Sequence, residues 1–246
     1  MCTLVLAWQV FADTPVAVAA NRDEMVDRPS EPPQRLEDDP AVVAPRDGEA
    51  GGTWIGHNEH GLFVGITNRW TDAELAGERS RGLLTRDALR KESAEEAARF
   101  VESEVRDREY DGFNLVVADA NAAVLLEWDG QLAVRPLTPG VHVVVNVGAS
   151  DDARIPETRS EDGRQQADNA AAVRTALQPE PGEQAGAWIE RAADVISDHE
   201  YGVCIHRDRF GTRSSSLLTI GPEGSRYRFA DGPPCETEYR PVESQI

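Results

Sequence analysis

Residues 2–24 read CTLVLAWQVFADTPVAVAANRDE, and this stretch decides the fold. Its first part, Cys2 to Gln9, is apolar and rich in β-branched residues, which is typical of a buried strand. A turn at Asp13-Thr14-Pro15 separates it from a second apolar run, Val16 to Asn21. The two runs predict an antiparallel hairpin that brings Cys2 and the polar residues after the second strand to the same sheet edge.

The rest of the chain alternates blocks of strands with pairs of helices. Ser93 followed by Glu96 predicts a helix start, because these residues can form a capping box. The predicted elements are a hairpin of Thr53–Gly56 with Gly61–Asn68, two helices, strands Phe113–Asp119, Val124–Trp128, Gln131–Pro136 and Val141–Asn146, helices Gln166–Leu177 and Glu183–Ser197, and strands Val203–His206, Ser214–Ile220 and Ser225–Phe229. Because hairpins dominate and helices are paired, we expect one α+β domain over residues 1–246, a four-layer αββα sandwich of two largely antiparallel sheets.

Three stretches are predicted to lack regular structure. Residues 27–49 contain five prolines, which oppose ladders and helices. Residues 150–165 are polar and are expected to form a loop. Residues 57–60 are expected to form a hairpin turn with His57 and His60 in solvent.

The charge balance excludes several kinds of partner. Lys+Arg is 25 and Asp+Glu is 44, which gives a formal net charge of −19, and Lys91 is the only lysine. Nucleic acids and anionic membrane surfaces are poor partners, because they require clustered cations. An acidic, lysine-poor surface favours a halophilic protein adapted to concentrated salt. A GC-rich genome is the alternative, but it explains the missing lysines without explaining the charge.

The composition also indicates the compartment. The chain has 246 residues, of which 40% are hydrophobic and 28% charged, as in soluble globular proteins. We see no apolar run long enough for a membrane span and no signal peptide at the start. Three cysteines do not make a disulfide framework. We therefore expect a cytoplasmic protein with reduced thiols.

Cys2 is the residue that points most directly to chemistry. Because residue 2 is small, we expect aminopeptidase to remove Met1, which would leave a thiol and a free α-amine on one residue. Such a residue combines a nucleophile with its own base. The alternative is that Cys2 is a small apolar residue at the start of a strand. In the predicted hairpin Asp23 lies near the N-terminus, where a carboxylate can hold the amine or orient the thiol.

Several short motifs are shared with one protein family. They are Met1-Cys2-Thr3, Asn21-Arg22-Asp23-Glu24, Arg28-Pro29, Gly51 to Gly56 (GGTWIG), Gly61 to Asn68 (GLFVGITN), Phe113-Asn114-Leu115 and Gly211 to Ser216 (GTRSSS). With them the chain resembles the NRDE family, also called the transport and Golgi organization protein 2 family, over nearly its whole length. That family is similar to cysteine N-terminal nucleophile hydrolases such as choloylglycine hydrolases and penicillin V acylases, which have the αββα sandwich.

The resemblance implies roles for four residues. The nucleophile of the acylases falls on Cys2, and their first-hairpin aspartate falls on Asp23. Their two asparagines fall on Asn68 and Asn146, whose amide groups would stabilise an oxyanion. The acylases also place an arginine before the Asn-x-Asp unit, where this chain has Ala20.

Two functions from different classes follow. The first is an enzyme without a cofactor that hydrolyses or transfers the acyl group of a small amide or ester. Arg22 and Arg213 are its candidate ligand-binding residues, because guanidinium groups clamp carboxylates and phosphates; for Arg213 a structural ion pair is the alternative. The second, implied by the resemblance, is a non-catalytic binding or trafficking protein for haem or an acyl-lipid.

The cysteines and histidines do not predict a metal site. Cys204 and His206 would share one face of a predicted strand. No second pair stands at the spacing typical of structural zinc sites. We therefore expect no metal, with Cys204 buried and Cys235 an exposed thiol.

Overall fold

The structure is a computed structural model that describes residues 2–243 and residue 246. Its strands are β1 (Thr3–Phe11), β2 (Thr14–Met25), β3 (Ser30–Asp38), β4 (Ala41–Asp47), β5 (Ile55–Asn58), β6 (Phe63–Asn68), β7 (Phe113–Ala118), β8 (Ala123–Trp128), β9 (Leu132–Pro136), β10 (Gly140–Val145), β11 (Gly148–Ala149), β12 (Phe210–Gly221), β13 (Gly224–Ala230) and β14 (Arg240–Pro241). Its helices are α1 (Arg81–Ala88), α2 (Ala94–Asp107), α3 (Ser160–Ala176) and α4 (Ala185–Ser197), with short 3₁₀ turns at Glu157–Arg159 and His199–Tyr201.

The strands form two seven-stranded sheets. Sheet A has the order β11-β10-β1-β2-β12-β13-β14, and sheet B has the order β3-β4-β5-β6-β7-β8-β9. Every pairing between these strands is antiparallel, as predicted. The predicted block of four consecutive strands is divided between the sheets, because β10 leaves β7–β9 and pairs with β1.

The side chains of β1 point alternately to the two faces of sheet A, and each face is covered by a different layer of the sandwich. Leu4 and Leu6 point into the core between the two sheets, whereas Val5 and Ala7 point to the core under α3 and α4. Successive side chains of a strand face opposite sides, so a strand buried on both faces must be apolar throughout. Helices α1 and α2 cover the outer face of sheet B in the same way. The αββα sandwich is therefore confirmed.

The predicted β1–β2 hairpin forms. Thr3 pairs with Asn21, so Cys2 lies beside the NRDE sequence. Strand β2 is longer than predicted and continues to Met25, because β12 pairs along it and places Thr212 opposite Asp23. The hairpin and β12 together fix the surroundings of Cys2 and Asp23.

The prediction of a loop over residues 27–49 is wrong. Strands β3 and β4 lie there, and β3 is the edge strand of sheet B. Prolines are tolerated on an edge strand, where one side of the backbone has no ladder to complete. Pro32 and Pro33 also fall where the β3–β4 register shifts, between Glu31 and Gln34.

Three smaller predictions are also corrected. Helix α3 begins at Ser160, inside the predicted loop 150–165. Residues 203–206 do not form a strand and make only an isolated bridge from His206 to Gly211. His57 lies in β5 and is fully buried, with Nε2 2.7 Å from Ser225 Oγ, and burial lowers the pKa of His57 to about 4. His60 is exposed, as predicted.

Among residues 2–243 and 246, no helix has the length and apolar character needed to cross a membrane.

Candidate active site at the start of β1

Cys2 lies immediately before β1 and is held from two sides. Its backbone N–H donates to Asn146 Oδ1 at 3.2 Å, and its thiol donates to the Asp23 carbonyl at 3.6 Å. Burial raises the pKa of the Cys2 thiol, partly offset by positive charge that includes Arg22. Met1, and with it the predicted processing, lies outside the described residues.

Asp23 is a buried carboxylate with a strong partner. The residue is 3% exposed, and Thr212 Oγ1 donates to its Oδ1 at 2.6 Å. Burial raises the pKa of Asp23 to about 6, although the hydrogen bond from Thr212 acts in the opposite direction. A carboxyl group that titrates near neutrality is suited to holding an ammonium group or exchanging a proton with it.

Asn146 is brought to Cys2 by the pairing of β10 with β1, whereas Asn68, at the end of β6 in sheet B, is joined to Asn146 from the other sheet. Asn146 Oδ1 accepts from Cys2 and from Gln166 Nε2 at 3.0 Å, while its Nδ2 donates to the Asn68 carbonyl at 2.6 Å. Asn146 is therefore a fixed anchor for the Cys2 backbone. The side chain of Asn68 is exposed and borders a cleft next to Cys2.

This cleft has a volume of about 290 Å³ and is rich in charged side chains. Its charged lining residues are Arg22, Arg28, Arg79, Arg81, Glu24, Asp47 and Asp111. Four arginines and three carboxylates line the cleft, so its formal charge is +1 in a chain whose formal net charge is −19. The cleft is thus suited to a small ligand that carries an anionic group.

Arg22 has capacity for a ligand. Its guanidinium lies 4.2 Å from the Trp54 ring centroid, and its Nη2 is 3.7 Å from Glu24 and 3.8 Å from Asp47, both long for ion pairs. Asp47 is instead engaged by Arg28 at 2.8 Å. Arg22 Nη1 is buried and has no hydrogen-bond partner among residues 2–243 and 246. Since buried donors are nearly always paired, this nitrogen is a candidate contact for an anion.

The other predicted ligand-binding residue, Arg213, is not among the residues that line this cleft. It lies where the register between β12 and β2 shifts, between Thr212 and Ser214, and its side chain is half-buried. The structure therefore brings together Cys2, Arg22, Asp23, Asn68 and Asn146, and leaves Arg213 apart.

A larger cleft, of about 670 Å³, lies at the other end of sheet A. It is lined by residues of the β1–β2 turn and the β12–β13 turn, among them Thr14 and Gly221. Thr14 begins β2 and Asp23 lies near its end, so most of the length of β2 separates this cleft from Cys2. Size alone does not indicate a reactive site, and the smaller cleft is the one that Cys2 lines.

Thr212 and Gln166 are site residues that the sequence did not reveal. Thr212 contacts Asp23 across 189 positions of sequence, and Gln166 contacts Asn146 from helix α3. The GTRSSS motif is the sequence signal for Thr212, but the residue type in it that predicts ligand binding is the arginine, Arg213. For Gln166 the only signal is a polar residue on the buried face of a helix.

Comparison with known proteins identifies the family and the fold of this chain. The profile of the Transport and Golgi organisation 2 family matches residues 1–231. The chain belongs to this family. The mouse Transport and Golgi organization 2 homolog is 28% identical over 137 residues, which are 52% of this chain and 49% of the mouse protein. The matched segment thus spans about half the length of that curated relative.

Solved structures show the same fold at low sequence identity. Penicillin V acylase from Agrobacterium tumefaciens is 15% identical with a TM-score of 0.58, over 94% of this chain and 83% of the acylase. The Caenorhabditis elegans ortholog of N-acylethanolamine-hydrolyzing acid amidase is 13% identical with a TM-score of 0.60, over 88% and 92% of the two chains. The expected likeness to N-terminal nucleophile hydrolases is therefore confirmed at the level of the fold.

Proposed function

We propose that this family member is a cysteine N-terminal nucleophile hydrolase or acyltransferase that acts on a small amide or ester with an anionic group. The observation that carries the proposal is the position of Cys2. Its backbone nitrogen meets Asn146 and its thiol meets the Asp23 carbonyl, at the edge of a cleft lined by Arg22. Family and fold support the proposal by likeness, whereas the chemistry is argued from these contacts.

Activation of the thiol requires a base in direct contact. Burial raises the pKa of Cys2, so the thiolate does not form unaided near neutral pH. Removal of Met1 would convert the Cys2 backbone nitrogen into an α-amine, with an ordinary pKa of about 7.7–8.0. Asn146 Oδ1 already accepts from this nitrogen and would hold the amine in place. The buried Asp23 carboxyl group would stabilise the ammonium form.

The reaction then proceeds in two acyl-transfer steps. Cys2 Sγ attacks the substrate carbonyl carbon while the thiol proton passes to the α-amine. The Asn68 amide donates to the oxyanion at the cleft side. The bond to the amine or alcohol breaks, the leaving group takes the proton from the α-ammonium, and a thioester remains on Cys2. Attack by water, with the amine again accepting a proton, releases the acid; attack by another nucleophile transfers the acyl group.

Arg22 supplies the substrate preference. Its Nη1, which has no hydrogen-bond partner in the described part of the chain, and its long ion pairs leave hydrogen-bonding capacity for a carboxylate or phosphate. Arg22→Met should raise KM for anionic substrates more than for neutral ones, and Arg22→Lys should restore part of the difference. Equal effects on both substrate classes would contradict this role.

The test of the reaction uses N-acyl amino acids and acyl thioesters with three forms of the chain. The natural chain should turn over at least one substrate, and Cys2→Ala should be inactive. A chain with one glycine inserted between Met1 and Cys2 keeps the thiol but displaces the α-amine. It should lose roughly a hundredfold in rate, the contribution typical of a positioned base.

The alternative, a carrier for haem or an acyl-lipid, gives the opposite pattern. A carrier binds its ligand stoichiometrically without consuming it, and its affinity survives Cys2→Ala unless the thiol ligates iron. Saturable binding of haem or an acyl-lipid, together with no turnover of the N-acyl amino acids and acyl thioesters, would favour the carrier function over the hydrolase.

A further inference from the structure

Four metal-ligating side chains converge outside the candidate active site. They belong to His199, Cys204, His206 and Cys235, and one ligand atom of each lies within 4.8 Å of the others. Cys204 is buried, while the other three are exposed, so an ion can enter from solvent. The expectation that Cys204 and His206 lack a second pair fails because folding supplies His199 and Cys235.

The distances in this cluster are close to those of a tetrahedral zinc site. The two Sγ atoms are 3.5 Å apart, and His206 Nε2 lies 3.7 Å from Cys204 Sγ and 3.0 Å from Cys235 Sγ. Zinc bonds of about 2.3 Å to sulfur and about 2.0 Å to nitrogen place tetrahedral ligands roughly 3.3–3.8 Å apart. Only small movements of exposed side chains separate the cluster from that geometry.

The backbone around the cluster accounts for the convergence. Gly202 has a φ of 63° and reverses the chain between His199 and Cys204. A Cβ on Gly202 would lie 2.4 Å from Asn169 Nδ2, which donates to the Gly202 carbonyl, so the turn requires glycine. Cys235 arrives from the turn after β13, where the backbone of Thr237 donates to the Pro233 carbonyl.

A second observation concerns the ring nitrogen of His206 that faces away from the sulfurs. His206 Nδ1 lies 4.0 Å from Glu236 Oε1. Histidines that bind metals commonly direct the second ring nitrogen toward a carboxylate, which orients the ring and fixes its tautomer. The rings of His199 and His206 are 5.1 Å apart and nearly perpendicular, so both can turn a nitrogen toward a shared ion.

We infer that His199, Cys204, His206 and Cys235 form a Cys₂His₂ site for Zn²⁺. Two thiolates and two imidazoles are a donor set that suits this ion in tetrahedral coordination. With no coordination position left for water, the site is structural. It ties the segment between α4 and β12 to the turn that follows β13.

The cross-link would also support the candidate active site. Ile205, next to Cys204, donates its backbone N–H to Thr212 Oγ1 at 2.9 Å, and Thr212 donates in turn to Asp23. Asn21 Nδ2 donates to the Val203 carbonyl at 2.9 Å. A metal that fixes residues 203–206 therefore fixes the partners of Asp23, although it touches none of the reacting groups.

Metal analysis of the reduced, full-length protein after dialysis against Zn²⁺ tests the site. The natural chain should bind about one zinc ion per chain, and loading with Co²⁺ should give the thiolate-to-cobalt absorption of a tetrahedral site. Cys235→Ser should lose at least nine tenths of the bound zinc. Because Cys235 is exposed, this variant is expected to stay folded, which circular dichroism would check.

Two variants serve as matched controls. Cys2→Ser removes the third cysteine and His60→Ala removes an exposed histidine, and both should retain zinc. Added Zn²⁺ should raise the melting temperature of the natural chain and of both controls, but not that of Cys235→Ser. Zinc content below a tenth of an ion per chain in the reduced protein, or equal content in the natural chain and Cys235→Ser, would overturn the site. A Cys204–Cys235 disulfide in protein isolated without oxidant would also overturn it.

Discussion

Asp23→Asn is expected to stabilise the protein relative to the natural chain as pH rises. In the folded state burial raises the pKa of Asp23 to about 6, against about 3.9 for an ordinary aspartate. Well below pH 4 the group is protonated in both the folded and the unfolded chain, so burial has no cost through ionisation. Between about pH 4 and pH 6 the group is ionised in the unfolded chain but still protonated in the folded one, and the loss of folding stability grows to about 2 pKa units, or about 3 kcal/mol, which is complete above pH 6.

The assay is urea unfolding of both chains between pH 4 and pH 8 in molar KCl, with their N-termini established by intact mass. The unfolding free energy of Asp23→Asn minus that of the natural chain should rise by about 2 kcal/mol between pH 4 and pH 7. Any constant offset, such as the altered bond to Thr212, does not enter this comparison. Asp168→Asn, at an exposed position of α3, should give a flat difference. A flat or falling difference for Asp23→Asn would refute the desolvated carboxylate.

Three further outcomes are expected. Thr212→Val removes the hydrogen bond to Asp23 and should move the acid limb of the pH–rate profile upward by about 1–2 pH units, whereas Thr212→Ser should not; an unmoved limb would separate Asp23 from the reaction. Glu127→Gln breaks a buried ion pair with Arg69, in which the two side chains are 3% and 2% exposed, and should destabilise the fold by about 3 kcal/mol, against under about 1 kcal/mol for exposed Glu190→Gln. If the −19 charge reflects adaptation to salt, the melting temperature should fall from molar KCl to dilute buffer, and a constant value would leave genomic composition as its cause.

The sequence predicts the fold correctly where a strand is buried on both faces and pairs with its neighbour along the chain. Leu4, Val5, Leu6 and Ala7 are all apolar because sheet A is covered on both faces, and this run predicts a buried strand without further information. The hairpin that follows fixes Cys2 beside Asp23 through a short turn. Residues 27–49 were misassigned because proline content does not distinguish a loop from an edge strand.

The parts that were missed depend on contacts between distant segments. Thr212 reaches Asp23 only because β12 pairs with β2, and Cys235 meets His206 from 29 positions away. Neither contact can be predicted from the periodicity of apolar residues within one helix or strand, or from the spacing of residues in a motif. Asn146 was placed by family resemblance, but its contact with Cys2 depends on β10 crossing from one block of strands to the other sheet.

In the proposed mechanism Cys2 acts as a nucleophile with its own α-amine as base. The decisive measurement is timed iodoacetamide labelling of the native protein near neutral pH, with intact mass and peptide mapping. The proposal predicts that Met1 is absent, that Cys2 labels faster than Cys204 and Cys235, and that the glycine insertion before Cys2 slows its labelling roughly a hundredfold. Retained Met1, labelling of Cys2 no faster than that of Cys235, or an unchanged rate after the insertion would contradict it.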